Sequence, residues 1–362
     1  MKKILYITST LKNSGPTNQL FNLIKYLDRS QFTPHLITLS PEPTDSRWKD
    51  YKNIGVQLHT LNLSRFSGML FAKEYLYNLI KVIQPDLIHT QGIRADSLLA
   101  SLRLNAPWVM TSRNFPPDDY PSKFGRLKGA LMIRQHFSTM KHCKYLVTCS
   151  KTIQKKLSTV GIQGIAIQNG VQTSIGDPSK VSLFNDLPRP IFISVGSLIP
   201  RKNMHLLIKS FADLSKKDKG TLIILGDGPL MNQLSATAIK DVHLVGNVNN
   251  VPDYLAGADY FVSSSLSEGL PNTVLEALAA GLPVILSDIE SHQEIAYESS
   301  KSCKIFSLKA GSTSLAETMA SATKDFDDTA RLDAKRLAND VFSAKRMSIN
   351  YQEFYNSIWE MK

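Results

Sequence analysis

The sequence is short of cysteine, of long apolar runs and, over one stretch, of acid. Its three cysteines are Cys143, Cys149 and Cys303. They form no metal-spaced pair and no disulfide framework, which fits a reducing cytoplasm. No apolar run approaches the roughly 20 residues of a spanning helix, and the longest, around Ala277 to Leu286, is interrupted by Gly281 and Pro283. These features predict a soluble chain. The opening Met1-Lys2-Lys3 provides a basic flank, but the apolar run Ile4 to Ile7 is too short for a signal peptide. No low-complexity tract is present and 43% of the residues are hydrophobic, which excludes disorder. A single core seldom grows past about 250–300 residues, so a chain of 362 predicts two domains.

Acid is missing where base is abundant. No Asp or Glu occurs from Tyr120 to Gly176, whereas Lys123, Arg126, Lys128, Arg134, Lys141, Lys144, Lys151, Lys155 and Lys156 all fall there. Residues up to Gly176 carry 23 Lys and Arg against 9 acids, and the remainder 19 against 22. The net charge of +11 is therefore +14 in the first part and −3 in the second. Such asymmetry points the first domain toward something anionic: nucleic acid, a membrane surface or a phosphorylated substrate. A solvated face that maintains solubility accounts for it as well. Nucleic acid is the weakest of these readings, because aromatic-studded basic strands and recognised binding motifs are absent.

Short β-rich runs alternate with longer amphipathic ones, and the alternation occurs twice. In the first half the strand candidates are Ile4 to Thr8, His35 to Leu39, Val56 to Leu61, Leu87 to Thr90, Trp108 to Thr111, Tyr145 to Thr148 and Ile165 to Gln168. Helix-period stretches lie between them, such as Thr17 to Leu27 with Leu20, Leu23, Ile24 and Leu27 on one face. The second half offers Ile191 to Val195, Leu222 to Leu225, His243 to Val245, Tyr260 to Ser263, Val284 to Ser287 and Lys304 to Phe306. This order predicts two α/β domains, 1–175 and 191–343, each a doubly wound parallel sheet. The Ser-, Asp- and Pro-rich segment 176–190 reads as the linker. Ligands of such sheets bind outside the carboxyl ends of the strands, so two domains facing a central cleft place the chemistry in the strand-to-helix loops.

Three loops carry anion or sugar chemistry. Ser14-Gly15-Pro16-Thr17 follows the first strand and brings a glycine to a helix mouth, where backbone N–H groups and the helix dipole favour an anion. It is also an ordinary helix start, and the G-x-G-x-x-G spacing of a dinucleotide site is absent. Val195-Gly196-Ser197 through Arg201-Lys202-Asn203 leads from a strand into the helix 206–211. Two adjacent cations at a helix N-terminus oppose the dipole, and a diphosphate would offset them. Ser267-Glu268-Gly269-Leu270-Pro271-Asn272 leads into a helix that carries Glu276 in its second turn. Both glutamates can face one cleft, and a carboxylate accepting two hydrogen bonds suits the vicinal hydroxyls of a ribose or hexose.

Gly196 to Lys202, Leu225-Gly226-Asp227-Gly228-Pro229, Val245-Gly246-Asn247-Val248 and Glu268 to Pro283 together resemble the retaining family 4 glycosyltransferases of GT-B fold, of the bacterial surface-polysaccharide type. The first domain resembles the family through Pro85-Asp86-Leu87-Ile88-His89 and Asn169-Gly170-Val171, and residues 344–362 resemble the terminal helix that returns to the first domain. The resemblance implies transfer of a hexosyl-type sugar from a UDP- or GDP-sugar, with retention of configuration and with neither a metal nor a cofactor. It implies Lys202 on the donor diphosphate, Glu276 on the ribose, and Glu268 beside the oxocarbenium-like centre. Gly269, Leu270, Pro271 and Asn272 would touch sugar and phosphate, Val245, Gly246, Asn247 and Val248 the base, and Gly15 the donor from the opposite domain on closure.

Ser197 stands where the family often has arginine, a place Arg201 could serve, and Arg113 in Ser112-Arg113-Asn114 stands where it often has histidine. An arginine there suits an acceptor phosphate. Arg113, Asn114, His89 and Arg94 are therefore the acceptor-side candidates, although a lone histidine ending a buried strand is commonly structural. The acceptor expected is a lipid-linked glycan of O-antigen, capsule or lipopolysaccharide synthesis, met at the inner face of the cell membrane by a cytoplasmic, peripheral protein. Lys123 to Lys144, with Phe124, Leu127, Leu131, Met132 and Ile133, reads either as an interfacial amphipathic helix or as a core-packed helix with basic outer residues. A sugar-nucleotide epimerase or phosphorylase on the same scaffold is the alternative within the enzyme class.

Overall fold

Residues 1–102, 104–173, 176–218, 220–237 and 239–360 are described by a computed structural model. By internal contacts the chain divides into two units, Met1–Asn169 with Ala344–Lys362, and Gly170–Ser343.

The first unit begins with a run that only a buried parallel strand accommodates: Ile4, Leu5, Tyr6 and Ile7 are all at most 1% exposed. This is β1 (Lys2–Thr8), followed by α1 (Gly15–Lys25), β2 (Phe32–Thr38), α2 (Trp48–Asn53), β3 (Gln57–Thr60), α3 (Arg65–Ile83), β4 (Leu87–Gln91) and α4 (Ile93–Ala100). The chain continues through β5 (Trp108–Ser112), α5 (Pro116–Phe124), α6 (Arg126–His142), β6 (Tyr145–Thr148), α7 (Lys151–Ser158) and β7 (Ile165–Ala166). All pairings are parallel, in the order β3-β2-β1-β4-β5-β6-β7. One face of the sheet packs on Leu20, Leu23 and Ile24 of α1, and the other on Leu76 and Ile80 of α3 with Leu99 of α4. Gly125, at φ 81, separates α5 from α6. The apolar and basic run from Lys123 to Lys144 is therefore not the single helix that its composition suggests.

The second unit repeats the plan with β8 (Ile191–Val195), α8 (Met204–Asp218), β9 (Thr221–Leu225), α9 (Met231–Thr237), β10 (Val242–Gly246), α10 (Val251–Gly257), β11 (Tyr260–Ser263), α11 (Asn272–Ala279), β12 (Val284–Ser287), α12 (Glu290–Ala296), β13 (Cys303–Phe306), α13 (Gly311–Asp325) and α14 (Asp328–Arg336). Its parallel order is β10-β9-β8-β11-β12-β13. Residues 176–190, read from sequence as a linker, belong to this unit and form two short 3-10 turns, Pro178–Lys180 and Ser182–Asp186. The domain boundary expected at residue 175 falls on residues 174 and 175, which lie outside the described ones, as do 361 and 362 at the end of the expected terminal helix.

The last helix, α15 (Ala344–Glu360), belongs to the first unit. Met347, Tyr351, Tyr355 and Ile358 enter the core beside α1. Ser348 Oγ donates to the Leu23 carbonyl at 2.7 Å, and Gln352 Oε1 accepts from the Asp28 N–H at 2.8 Å. Both sheets reverse strand order beside their first strand, at β1/β4 and β8/β11, and such a reversal opens a crevice at the carboxyl ends. Among the described residues, no helix is long and apolar enough to cross a membrane.

Candidate active site

The crevice of the second unit gathers the strongest sequence candidates. Pro200–Lys202 forms a 3-10 turn after β8, closed by Asn203 in the left-handed conformation at φ 53. The chain leaving β11 pins this turn: Ser264 Oγ donates to the carbonyls of Lys202 and Asn203, each at 3.0 Å, and the Leu266 N–H donates to the Arg201 carbonyl at 2.8 Å. Glycine is required where the loops meet. Gly226 has φ +128, and a Cβ on it would collide with the Gly196 carbonyl oxygen. A Cβ on Gly196 would lie 3.1 Å from Cε of Lys202, whose stem folds over it.

On this frame Lys202 Nζ lies 2.7 Å from Oε1 of Glu268, and Arg201 Nη1 lies 2.8 Å from Oε2. Arg201 also donates to the Ser267 carbonyl, and Ser265 Oγ donates to Glu268 Oε1 at 2.8 Å. The Glu268 side chain is only 9% exposed. Burial alone would raise its pKa, but Lys202 and Arg201 outweigh that and bring it down to about 2. Glu276, half-buried on α11, takes the opposite course: burial drives it up to about 7, with Lys202 opposing. The site thus holds two cations, one fixed carboxylate and one carboxyl poised near neutrality; chemically, such cations can pair with an anion and such carboxyls can bond hydroxyls.

Sequence reading missed the polar layer beneath Glu268. Ser287 Oγ donates to the Ser265 carbonyl at 2.6 Å, and fully buried His292 lies 2.9 Å from Ser287 Oγ and 3.3 Å from Ser263 Oγ. Burial lowers the His292 pKa to about 4, so the ring is neutral. The triplet Ser263-Ser264-Ser265 at the end of an apolar strand was the available signal.

The remaining donor candidates lie after β8, on and after β10, and in the turn before α11. Leu270 and Pro271 are buried in the turn before α11, which opens at Asn272, and Gly269 lies in the same turn. Val245 and Val248 are half-buried, Asn247 is exposed, and Gly246 closes edge strand β10 at φ 83 and accepts from the Gly226 N–H at 2.8 Å. Ser197 is exposed on the loop after β8.

The crevice of the first unit is a cavity of about 340 Å³. Its wall includes Ser14 and Pro16, on either side of Gly15, together with Arg113 and Asn114. Arg113 donates to Asn169 Oδ1 at 2.6 Å and to Gln91 Oε1 at 3.2 Å. The other two acceptor-side candidates do not line this cavity. His89 is 2% exposed, with Nδ1 2.6 Å from Tyr355 Oη and Nε2 2.7 Å from Thr111 Oγ1. Burial lowers its pKa to about 3, and its bonds tie β4 to α15. Arg94 turns to Ser40 and to the space left by Gly68.

Residues 13–175 match the model of Glycosyltransferase Family 4, and residues 189–325 that of Glycosyl transferases group 1. An alpha-monoglucosyldiacylglycerol synthase of Streptococcus pneumoniae is 38% identical over 301 residues, 75% of this chain and 67% of that one. The O-antigen biosynthesis glycosyltransferase WclY of Escherichia coli is 24% identical over 99% of both chains. The crystal structure of Anabaena HepE in complex with UDP-glucose matches at TM-score 0.81 and 18% identity, over 99% of this chain and 100% of that one. The chain belongs to the family 4, group 1 glycosyltransferases, and its two Rossmann-like units are those of the GT-B fold.

Proposed function

We propose that the protein transfers a hexosyl-type sugar from a UDP- or GDP-sugar to a lipid-linked glycan acceptor in surface-polysaccharide synthesis, retaining the anomeric configuration and using no metal. The observation that carries this reading is the Arg201–Glu268–Lys202 cluster. A donor diphosphate competes with Glu268 for the two cations, which then offset the charge that develops on the leaving group, where a metal ion would otherwise act. Glu268 stays ionised at working pH and stabilises the positive anomeric centre. Glu276 holds the ribose hydroxyls, and Arg113 takes the acceptor's phosphate. Likeness to an O-antigen enzyme over the full length, and to a synthase whose name includes a diacylglycerol, supports a membrane-linked acceptor. The protein then works peripherally, at the cytoplasmic face of the membrane.

Thermal-shift screening of UDP- and GDP-sugars tests the donor, because binding to the native state raises stability by mass action. One nucleotide-sugar class is expected to raise Tm, and Lys202→Ala to abolish that shift and to lower turnover by about 100-fold or more. Turnover should persist in excess EDTA, and NMR of the product should show the donor's anomeric configuration. Full activity of Lys202→Ala would overturn the site assignment.

A further inference from the structure

In and behind the wall of the first unit's cavity three buried side chains are bonded in series. Asp96 on α4 is fully buried, and its Oδ2 lies 3.2 Å from Nε2 of His136 on α6. The second ring nitrogen of His136, Nδ1, lies 2.6 Å from the hydroxyl of Tyr120 on α5. His136 and Tyr120 are 3% and 6% exposed and reach the cavity wall, whereas Asp96 does not. The two rings are nearly parallel, at 10°, and Phe124 packs edge-on against Tyr120 with centroids 5.8 Å apart. Packing therefore fixes where the tyrosine oxygen sits.

The chemistry of the groups gives the chain of bonds a direction. Burial holds the Asp96 pKa above the usual carboxylate value, and hydrogen bonds with His136 and Thr90 oppose that rise without cancelling it. An Asp96 carboxylate accepts, so it fixes the imidazole proton on Nε2. Nδ1 must then accept, and the Tyr120 hydroxyl donates to it. The Tyr120 oxygen is left with lone pairs alone, so from the cavity it takes a donor such as a ligand O–H. Elsewhere on the same wall, Arg113 is a half-buried cation whose side-chain partners among the described residues are the amide oxygens of Gln91 and Asn169, with no carboxylate. A cation paired only with neutral acceptors is ready for an anion.

We infer that Tyr120 is a specificity-determining residue of the acceptor subsite. It accepts a hydrogen bond from a hydroxyl of a glycosyl phosphate whose anionic group rests on Arg113, and His136 and Asp96 are its positioning residues. This rests on the acceptor reading of Arg113 given above. A site that holds a fixed acceptor for a substrate hydroxyl discriminates against a sugar lacking it, because the buried oxygen is then unpartnered.

The test uses the full chain with UDP present to occupy the second unit, and two probes, glucose 1-phosphate and inorganic phosphate. Calorimetry of wild type, Tyr120→Phe and Arg113→Gln is combined with ¹⁵N signals of the His136 ring, identified by their loss in His136→Gln. Tyr120→Phe keeps the ring packing and should bind glucose 1-phosphate about tenfold more weakly while binding phosphate as wild type does. The wild-type His136 Nδ1 should give an unprotonated, acceptor-type signal that moves with glucose 1-phosphate and not with phosphate. That readout does not depend on how any binding variant folds. Arg113→Gln should lose both probes. If Tyr120→Phe binds glucose 1-phosphate like wild type, or the His136 signals stay still, the role of Tyr120 is wrong while the phosphate site stands. If wild type binds neither probe, or Arg113→Gln binds phosphate unchanged, the acceptor reading falls and Tyr120's role with it.

Discussion

Glu268 and Glu276 lie eight residues apart, and their surroundings set their protons in opposite ways. Two cations clamp Glu268, and its pKa falls to about 2. The stability it contributes is present above its unfolded value, about 4.5, and is lost only as pH falls toward 2. Glu276 is pushed by burial to about 7, so the native state prefers it protonated. As pH rises from about 4.5 through 7, the native state is therefore penalised relative to the unfolded chain. Glu276→Gln removes that penalty. The variant should match wild type in urea unfolding at pH 4.5 and exceed it at pH 8 by about 1–3 kcal/mol, a range reduced because water still reaches the side chain. The same stability gap at both pH values would refute the assignment. The spacing of the two glutamates and the glycine and proline between them were legible in sequence. Their opposite protonation was not, because it depends on Arg201 and Lys202, brought from more than 60 positions away, and on how deeply each carboxyl is sunk.

Secondary structure was legible where burial is two-sided, as in β1 and β8, whose continuous apolar runs allow no other reading. It failed where one residue's conformation decides, as at Gly125, whose positive φ divides a run that composition presents as continuous. His89 shows a third limit. Read from sequence as ending its strand, it stood among the acceptor-side candidates, whereas it sits at the centre of β4 and α15, more than 250 residues later in sequence, supplies Tyr355 as its partner. That bond is a test of how the last helix is held. Tyr355→Phe keeps the ring and leaves His89 Nδ1 without its partner in a fully buried setting, which costs about 1–3 kcal/mol. All three tryptophans, Trp48, Trp108 and Trp359, lie in the first unit, so tryptophan fluorescence reports that unit alone. The unfolding free energy from a fluorescence-detected urea titration should fall by that amount, and the midpoint with it. An unchanged value would mean that the His89–Tyr355 bond contributes nothing to how α15 is held.

Divided by the units the structure defines, the charge is more lopsided than the linear sequence suggests: 26 Lys and Arg against 11 acids in the first unit, and 16 against 20 in the second. The first unit also exposes large apolar side chains. Leu127 and Leu131 on α6 are 87% and 71% exposed, and Phe66 and Met69 on α3 are 77% and 86% exposed. These helices pack on either side of α4, and both sets lie in their early turns, at the end of the sheet where the cavity opens. Leu127 and Leu131 stand among Arg126, Lys128 and Arg134, the pairing of apolar anchors with cations that an anionic bilayer surface attracts. Each cation near such a surface contributes about 1 kcal/mol, and screening shortens its reach from about 10 Å at 0.1 M salt to about 3 Å at 1 M. Vesicles containing anionic lipid should therefore sediment the protein at low salt and release it at high salt, while neutral vesicles leave it in the supernatant. The double variant Leu127→Asp, Leu131→Asp changes only exposed positions and should keep its Tm while losing at least tenfold in vesicle affinity, since it removes two anchors and adds two like charges to the surface contact. Equal sedimentation of this variant, or retention by neutral vesicles, would show that the basic face serves solubility and not docking.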